Sequence, residues 1–571
     1  MHSDRRPASG LGVDGSEGTP TDATPLAPHS PKRLVVGLTS SDRGLALRLL
    51  RSRELVLVLV GLGVLLRIAQ YLANRSLWVD EAWLSLNLIE RPLTALTKPL
   101  DFQQAAPAGF LLIEGLVTKA FGYSEYALRL FPLACGLISI PAFAWLARRI
   151  LSTAAAPFAV LLFVVADGLI YYSSEVKPYE TDVAVAVCLL GAGILLAEEE
   201  CGRTRALLIA VGGLVLVTLS FPALFVVAAV AGVLTVRLLF NGRRHLLSPA
   251  SLPVLLWGSA AIGTAIFGLT RGRLVRESFG DSGRFLGVGG SSSPLHALNV
   301  MGTGIATAIG FPQHRPFSHV EKLALLCALV GAFVLLRRNR TTFWMLIAPF
   351  ALLLGASAAH AYPILERTEL FLVPVVVLFI AEGVVQIVRW FRGPARVVAA
   401  LVLPTLLVAG PVWLAGERLI HPRTNEEMRP VLEFVRDHWR PGDTLYVHYG
   451  AQYALLYYEE CHCLRLSTPG TGRDLWPLRA LRGQRNQFGQ AAVPLSSDVF
   501  IGRYHGNRGQ YLSDLDRVRR RHRVWFLYSH VSSDSEESFI RDDLLRHLTS
   551  LGTRIGGIDR HGAHAYLYRL G

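Results

Sequence analysis

Apolar runs of about twenty residues recur along this chain from Glu54 onward, and no other feature limits its fold so tightly. That is the length a helix needs to cross roughly 30 Å of hydrocarbon. Of the 571 residues, 51% are hydrophobic and only 18% charged, with a mean hydropathy of +0.38. A soluble protein of this length would carry far more charge on its surface. The chain reads as a polytopic α-helical membrane bundle of about eleven spans, at 54–72, 128–147, 155–172, 181–197, 205–219, 222–240, 251–270, 320–336, 341–359, 368–388 and 396–416. The segment 205–240 reads as two spans or one bent element around Ser220-Phe-Pro222.

The formal net charge of +14 is an orientation signal rather than a nucleic-acid signature. Basic residues cluster between spans: Arg148-Arg149, Arg203 and Arg205, Arg243-Arg244, Arg337-Arg338 with Arg340, and Arg389, Arg392 and Arg396. Clusters at alternate turns follow the positive-inside rule, whereas a nucleic-acid groove gathers them with aromatic residues on one soluble face. A cytoplasmic start makes every cluster cytoplasmic and puts 73–127, 173–180, 271–319, 360–367 and the C-terminal region outside a plasma membrane. The six cysteines form no disulfide framework; Cys135, Cys188 and Cys327 fall in apolar runs, and Cys461-His462-Cys463 is too compact for an ordinary structural zinc site.

Three regions follow. Residues 1–45, rich in Gly, Pro, Ser, Thr and Asp, read as a disordered cytoplasmic tail. No cleavable signal is evident, because the first apolar run starts late and is long enough to anchor. Residues 46–419 form the multi-span membrane domain, whose first outer loop carries short interfacial helices at 82–89 and 110–121, beside Trp78 and Trp83. Residues 420–571 read as a small extracytoplasmic α/β domain. There, Thr424-Asn-Glu-Glu427 has the form of a capping box ahead of Val431, Phe434 and Val435. Strands are expected at 444–449, 523–529 and 564–569, and helices at 451–459 and 535–549.

The chemistry centres on Asp80-Glu81, two carboxylates just past the first span, where ionised side chains are rare without a purpose. A carboxylate there can hold a cation or take the proton of an attacking hydroxyl. Asp80 is the expected base, and Glu81 its support or a substrate contact. Gln104, Glu175, Tyr179, His360 and Tyr362 lie in turns on the same side and are candidates for substrate contact. Arg129, Lys177 and Arg367 would supply cations for a lipid-linked phosphate. Arg67, inside the first span, would face a polar cavity or pair with Asp167. There is no Walker sequence, and Gly302-Thr-Gly304 lacks the third glycine and the preceding strand of a dinucleotide fingerprint. An outward-facing site has no ready nucleotide supply, so an activated donor would be lipid-borne. No cofactor is assigned, and a divalent cation stays open.

These pieces resemble the C-type superfamily of integral-membrane glycosyltransferases, especially the protein O-mannosyltransferase and lipid A aminoarabinose transferase group. The matching segments are Trp78-Val-Asp-Glu-Ala-Trp83, Gly122-Tyr-Ser-Glu-Tyr-Ala-Leu-Arg-Leu-Phe-Pro132, Ser174-Glu-Val-Lys-Pro-Tyr179 and Glu366-Arg-Thr-Glu-Leu-Phe-Leu-Val-Pro374, within about residues 50–420. The resemblance implies inverting transfer of a sugar from a polyprenyl-phosphate donor to a hydroxyl of a glycan, lipid or protein acceptor, with Asp80 as base. Arg129, Lys177 or Arg367 would then stabilise the departing prenyl phosphate. Many relatives carry His-Pro-Pro where this chain has Gln104-Ala-Ala-Pro107, so that histidine contact is absent. The rival readings are a transporter or flippase and a non-catalytic scaffold for lipid-linked envelope glycans. A transporter would show internal repeats and broken mid-membrane helices, and no convincing repeat is present.

Overall fold

The computed structural model describes residues 53–197, 202–240, 251–272, 285, 294–311, 319–461, 464, 494–496, 499–502, 508–531 and 539–571. The expected tail, and His462 and Cys463, lie outside these. Residues Leu49–Gly571 form one compact unit.

Most of that unit is helical. Seven of the described helices are long and apolar enough to cross a membrane: Arg53–Leu72, Leu130–Ile150, Tyr179–Leu196, Ser251–Arg271, Arg340–Ala358, Leu370–Trp390 and Gly393–Ile420. Their outward faces carry large apolar side chains such as Leu255, Leu401 and Trp413, a surface that water does not favour. The Val320–Arg338 and Val373–Trp390 helices cross in backbone contact. A Cβ at Gly331 would lie 1.9 Å from the Phe379 carbonyl, and one at Gly383 1.8 Å from that of Cys327, so only glycine permits this approach.

Three elements depart from the sequence reading. The expected span 155–172 breaks into Ala155–Val164 and Asp167–Tyr172, with Ala166 extended between them. The break carries Asp167 to Arg418 and Arg423 (Nε–Oδ1 2.8 Å and Nη1–Oδ2 3.3 Å). Arg67 therefore does not pair with Asp167; its Nε sits 3.9 Å from Glu180 instead. The segment around Ser220 resolves into two helices, Arg203–Thr218 and Ala223–Phe240, and the Ser220 hydroxyl accepts from the Ala223 amide at 3.1 Å. A further helix, Pro294–Ile309, lies in a stretch read as loop.

Beyond the last long helix the chain builds a six-stranded sheet with strands β1 Thr444–Val447, β2 Pro494–Ser496, β3 Val499–Ile501, β4 Arg523–Ser529, β5 Gly552–Arg560 and β6 Ala563–Leu570. Their order is β2-β3-β1-β4-β6-β5, with β1 parallel to β3 and β4 and the outer pairs antiparallel. β2, β3 and β5 were not foreseen; β5 holds Gly552, Gly556 and Gly557 and reads poorly as a strand. The capping box does not form. The Met428–His438 helix has Glu427 at its N-cap without a side-chain bond, while Val431, Leu432 and Val435 are buried.

The first connecting segment and the sheet share one apolar core. Leu77, Val79, Leu84, Phe102 and Phe110 pack in the same cluster as Met428, Val431, Tyr453, Tyr458 and Trp525. Polar ties fix the register. The Tyr458 hydroxyl accepts from the Leu77 amide (3.0 Å) and donates to Glu125 (3.0 Å), and Arg429 reaches Glu125 (2.8 Å) and the Asn74 carbonyl (2.8 Å). Tyr458 is thus buried with its hydroxyl bonded twice across the junction.

Candidate functional site

Asp80 and Glu81 open the Val79–Glu90 helix. Consecutive helical side chains diverge by about 100°, so the two carboxylates face different surroundings. Asp80 Oδ1 accepts from Lys177 Nζ at 3.0 Å and Oδ2 from Arg367 Nη1 at 2.6 Å. Lys177 also donates to Gln104 Oε1 at 2.5 Å. Arg367 lies over the rings of Trp78 (5.6 Å) and Tyr179 (5.7 Å). Burial by itself would raise the Asp80 carboxyl, but Arg367 and Lys177 outweigh it and hold the group at about 2.

Glu81 points into the protein. It takes both Arg129 bonds, Nε–Oε1 at 2.9 Å and Nη2–Oε2 at 2.7 Å, and accepts the Val176 amide at 3.0 Å. Arg129 is bound further to the carbonyls of Arg75 (2.6 Å) and Ser76 (3.2 Å). Arg75 in turn lies over Tyr171 and donates to the Ser174 carbonyl at 2.6 Å. Glu175 is buried behind it, 3.9 Å from Arg75. Burial, with the Glu81 charge beside it, pushes the Glu175 carboxyl up to about 7 against the pull of Arg75.

Asp80, Lys177, Arg367 and Gln104 open onto a cavity of about 710 Å³. One wall comes from the segment bearing Trp78 and Trp83, another from the helical bundle with Tyr179, Phe225 and Tyr362, and a third from the sheet region with Tyr449, Tyr453 and His530. Among the described residues, the indole nitrogens of Trp78 and Trp83 are buried without hydrogen-bond partners. Phe102 (φ 59°) and Gln103 (φ 53°) both hold left-handed backbone. Two such non-glycine residues in succession are costly and persist only where the surrounding packing holds them. The turn seats the Phe102 ring 5.1 Å from Tyr453 and delivers Gln104 to Lys177.

The structure thus brings together Asp80, Gln104, Lys177, Tyr179, Tyr362 and Arg367 around one cavity. Four expected site residues lie elsewhere. Arg129 and Glu81 are buried against each other and away from the cavity wall, because a bidentate pair satisfies both. Glu175 is fully buried behind Arg75. His360 is exposed, its ring 5.5 Å from Phe285, and does not line the cavity. Sequence reasoning missed Asp182 and the sheet residues. Asp182 had a signal, an ionisable group inside an apolar run; Tyr449, Tyr453 and His530 had none, since they lie hundreds of residues from Asp80 and in no motif. Among the described residues, no group of three or more His, Cys, Asp or Glu side chains is placed to hold a metal ion.

No protein-family model matches the chain, and no curated protein does. Among solved structures, it is similar to ArnT from Cupriavidus metallidurans bound to undecaprenyl phosphate, at 13% identity over 90% of this chain and 97% of that one, with a TM-score of 0.48. It is also similar to the archaeal oligosaccharyltransferase AglB from Archaeoglobus fulgidus in complex with an inhibitory peptide and a dolichol-phosphate. There the identity is 12% over 90% of this chain and 74% of that one, with a TM-score of 0.46. At such identity no side-chain role transfers from either.

Proposed function

We propose that this chain is a membrane glycosyltransferase that moves a sugar from a polyprenyl-phosphate donor to a hydroxyl of an envelope glycan, lipid or protein. In this reading the bundle has about eleven spans in the plasma membrane, a tail at 1–45 and a membrane domain at 46–419. The 420–571 domain lies on the outer side, the orientation that the basic clusters support. The observation that carries the reading is one ionised carboxylate flanked by two cations on the wall of an aromatic cavity at the loop end of the bundle. The motif resemblance around Trp78–Trp83 and Lys177 points the same way.

Lys177 and Arg367 face the donor's phosphate and stabilise charge on the prenyl phosphate as it leaves. They supply the positive charge that a divalent cation would otherwise bring. Tyr179, Tyr362 and Gln104 border the sugar. In this reading Asp80 is not the base. Both its oxygens bond cations and its carboxyl stays ionised down to about pH 2, which suits it poorly to hold a proton. A fixed negative charge instead stabilises the oxocarbenium-like character that develops at the anomeric carbon.

The test is transfer by purified protein from labelled polyprenyl-phosphate sugars. Asp80→Asn is expected to lower kcat by about 10²–10³-fold while donor binding is retained and the unfolding midpoint falls only by what the lost charge contributes to stability. Net donor movement without consumption would make it a transporter, binding alone a scaffold. Equal loss of folding and activity would make Asp80 structural.

A further inference from the structure

With Asp80 committed to two cations, the acceptor hydroxyl's proton needs another destination on the same cavity. Glu81 and Glu175 are shut off from it. Asp182 lines it from within the Tyr179–Leu196 helix, on the bundle wall with Phe221 and Phe225. The sheet wall carries a different arrangement. His530 follows β4 directly and holds a left-handed backbone, φ 56°. It packs against Gly450, where a Cβ would meet the Ser529 carbonyl at 2.5 Å and the His530 carbonyl at 3.1 Å. His530 lines the cavity, with its ring 6.2 Å from that of Trp83.

The ring is also oriented. His530 Nδ1 bonds Glu426 Oε1 at 2.9 Å, and Glu426 Oε2 accepts the amide of Val79, the residue before Asp80, at 3.3 Å. Glu426 thus ties the imidazole to the start of the Asp80 helix. A carboxylate on Nδ1 places the hydrogen there and makes Nε2 the basic nitrogen, the relation that prepares an imidazole to accept a proton.

We infer that His530, held by Glu426, takes the proton of the acceptor hydroxyl, so that the sheet region completes the reaction centre. This rests on the transferase reading. In the step, an oxygen lone pair of the acceptor attacks the anomeric carbon and forms the new C–O bond. The bond from that carbon to the phosphate oxygen breaks, its electron pair departs with prenyl phosphate, and the hydroxyl proton moves to Nε2. Glu426 acts through His530 and is a positioning residue.

His530→Gly is the informative variant, because glycine adopts φ 56° without strain and leaves room for added imidazole. With labelled undecaprenyl-phosphoryl hexoses and pentoses as donors and methyl glycosides as acceptors, it should lose about 10²–10⁴-fold in transfer. Donor affinity should be unchanged, and free imidazole should restore transfer at least in part. Glu426→Gln should show a smaller loss that imidazole does not relieve. If His530→Gly fails to assemble, His530→Asn, whose side chain tolerates the same backbone, must bind donor and fail to transfer. Undiminished transfer by either His530 variant, or a loss that imidazole leaves untouched in an assembled glycine variant, overturns the assignment and returns the proton to Asp80 or Asp182. Absence of transfer by the unaltered protein overturns the transferase reading, and this inference with it.

Discussion

Asp80 and Glu81 are adjacent in the chain, both carboxylates and both bound to arginine, yet one borders a cavity and the other is sealed. Glu81 has 0% exposure and a partner, Arg129, whose donors are also bound to backbone carbonyls. Asp80 meets Lys177 and Arg367, side chains on the cavity wall. The same ion-pair chemistry is therefore a brace at one residue and a receptive site at the next. What separates them is the direction of a side chain on one helical turn and what the tertiary structure put there.

Three measurements can break or sharpen that contrast. The largest effect is expected from Arg129→Ala, which strips buried Glu81 of its bidentate partner and leaves it only the Val176 amide and Arg75 at 4.0 Å, at a cost of about 3–5 kcal/mol. Thermal unfolding in detergent should show a large fall in the midpoint, and a fall no greater than that of a surface variant would dissolve the brace. Next comes Lys177→Ala, which should weaken donor binding by about 10–100-fold, the value of a charged hydrogen bond. Its midpoint should fall less than that of Arg129→Ala, because Arg367 still holds Asp80. Unchanged donor affinity would remove Lys177 from the site.

The smallest effect is in the pH dependence of stability, and its sign differs across the pair of regions. Asp80 is held at about 2, below its ordinary 3.8, so its contribution is present above pH 4 and is lost as pH falls toward 2. Glu175, beside Glu81, is raised from 4.5 to about 7, so its contribution is present below pH 4.5 and is lost as pH rises toward 7. Glu175→Gln should accordingly raise the midpoint at pH 8 relative to the unaltered protein and leave it little changed at pH 4.5. An identical shift at both pH values would mean that Glu175 does not titrate in this window.

Much of the bundle was readable because lipid-crossing helices announce themselves by composition. Runs such as 54–72 and 251–270 were found within a residue or two. The break at Ala166 was not readable, and Asp167 beside it pairs with arginines more than 250 positions away. The cavity was half readable. Asp80, Gln104, Lys177 and Arg367 sit in segments whose polarity stands out beside apolar runs. Arg129 carried the same signal and proved to be a brace, because pairing depends on direction rather than on residue type.

Local pattern by itself determined where helices form, which segments are polar at their ends and which residue types are available for phosphate chemistry, because periodicity and composition act over a few turns. Only the tertiary structure decided that Glu81 is closed, that Asp80 is shared by two cations, and that His530 and Tyr453 stand on the same cavity. Those outcomes come from packing distant segments together. The bundle and its loops bring Arg129, Lys177 and Arg367 to the Asp80 helix, and the sheet region, joined to the first connecting segment in one apolar core, adds His530 and Tyr453. Such packing joins residues far apart in the chain, and no short window of sequence records it.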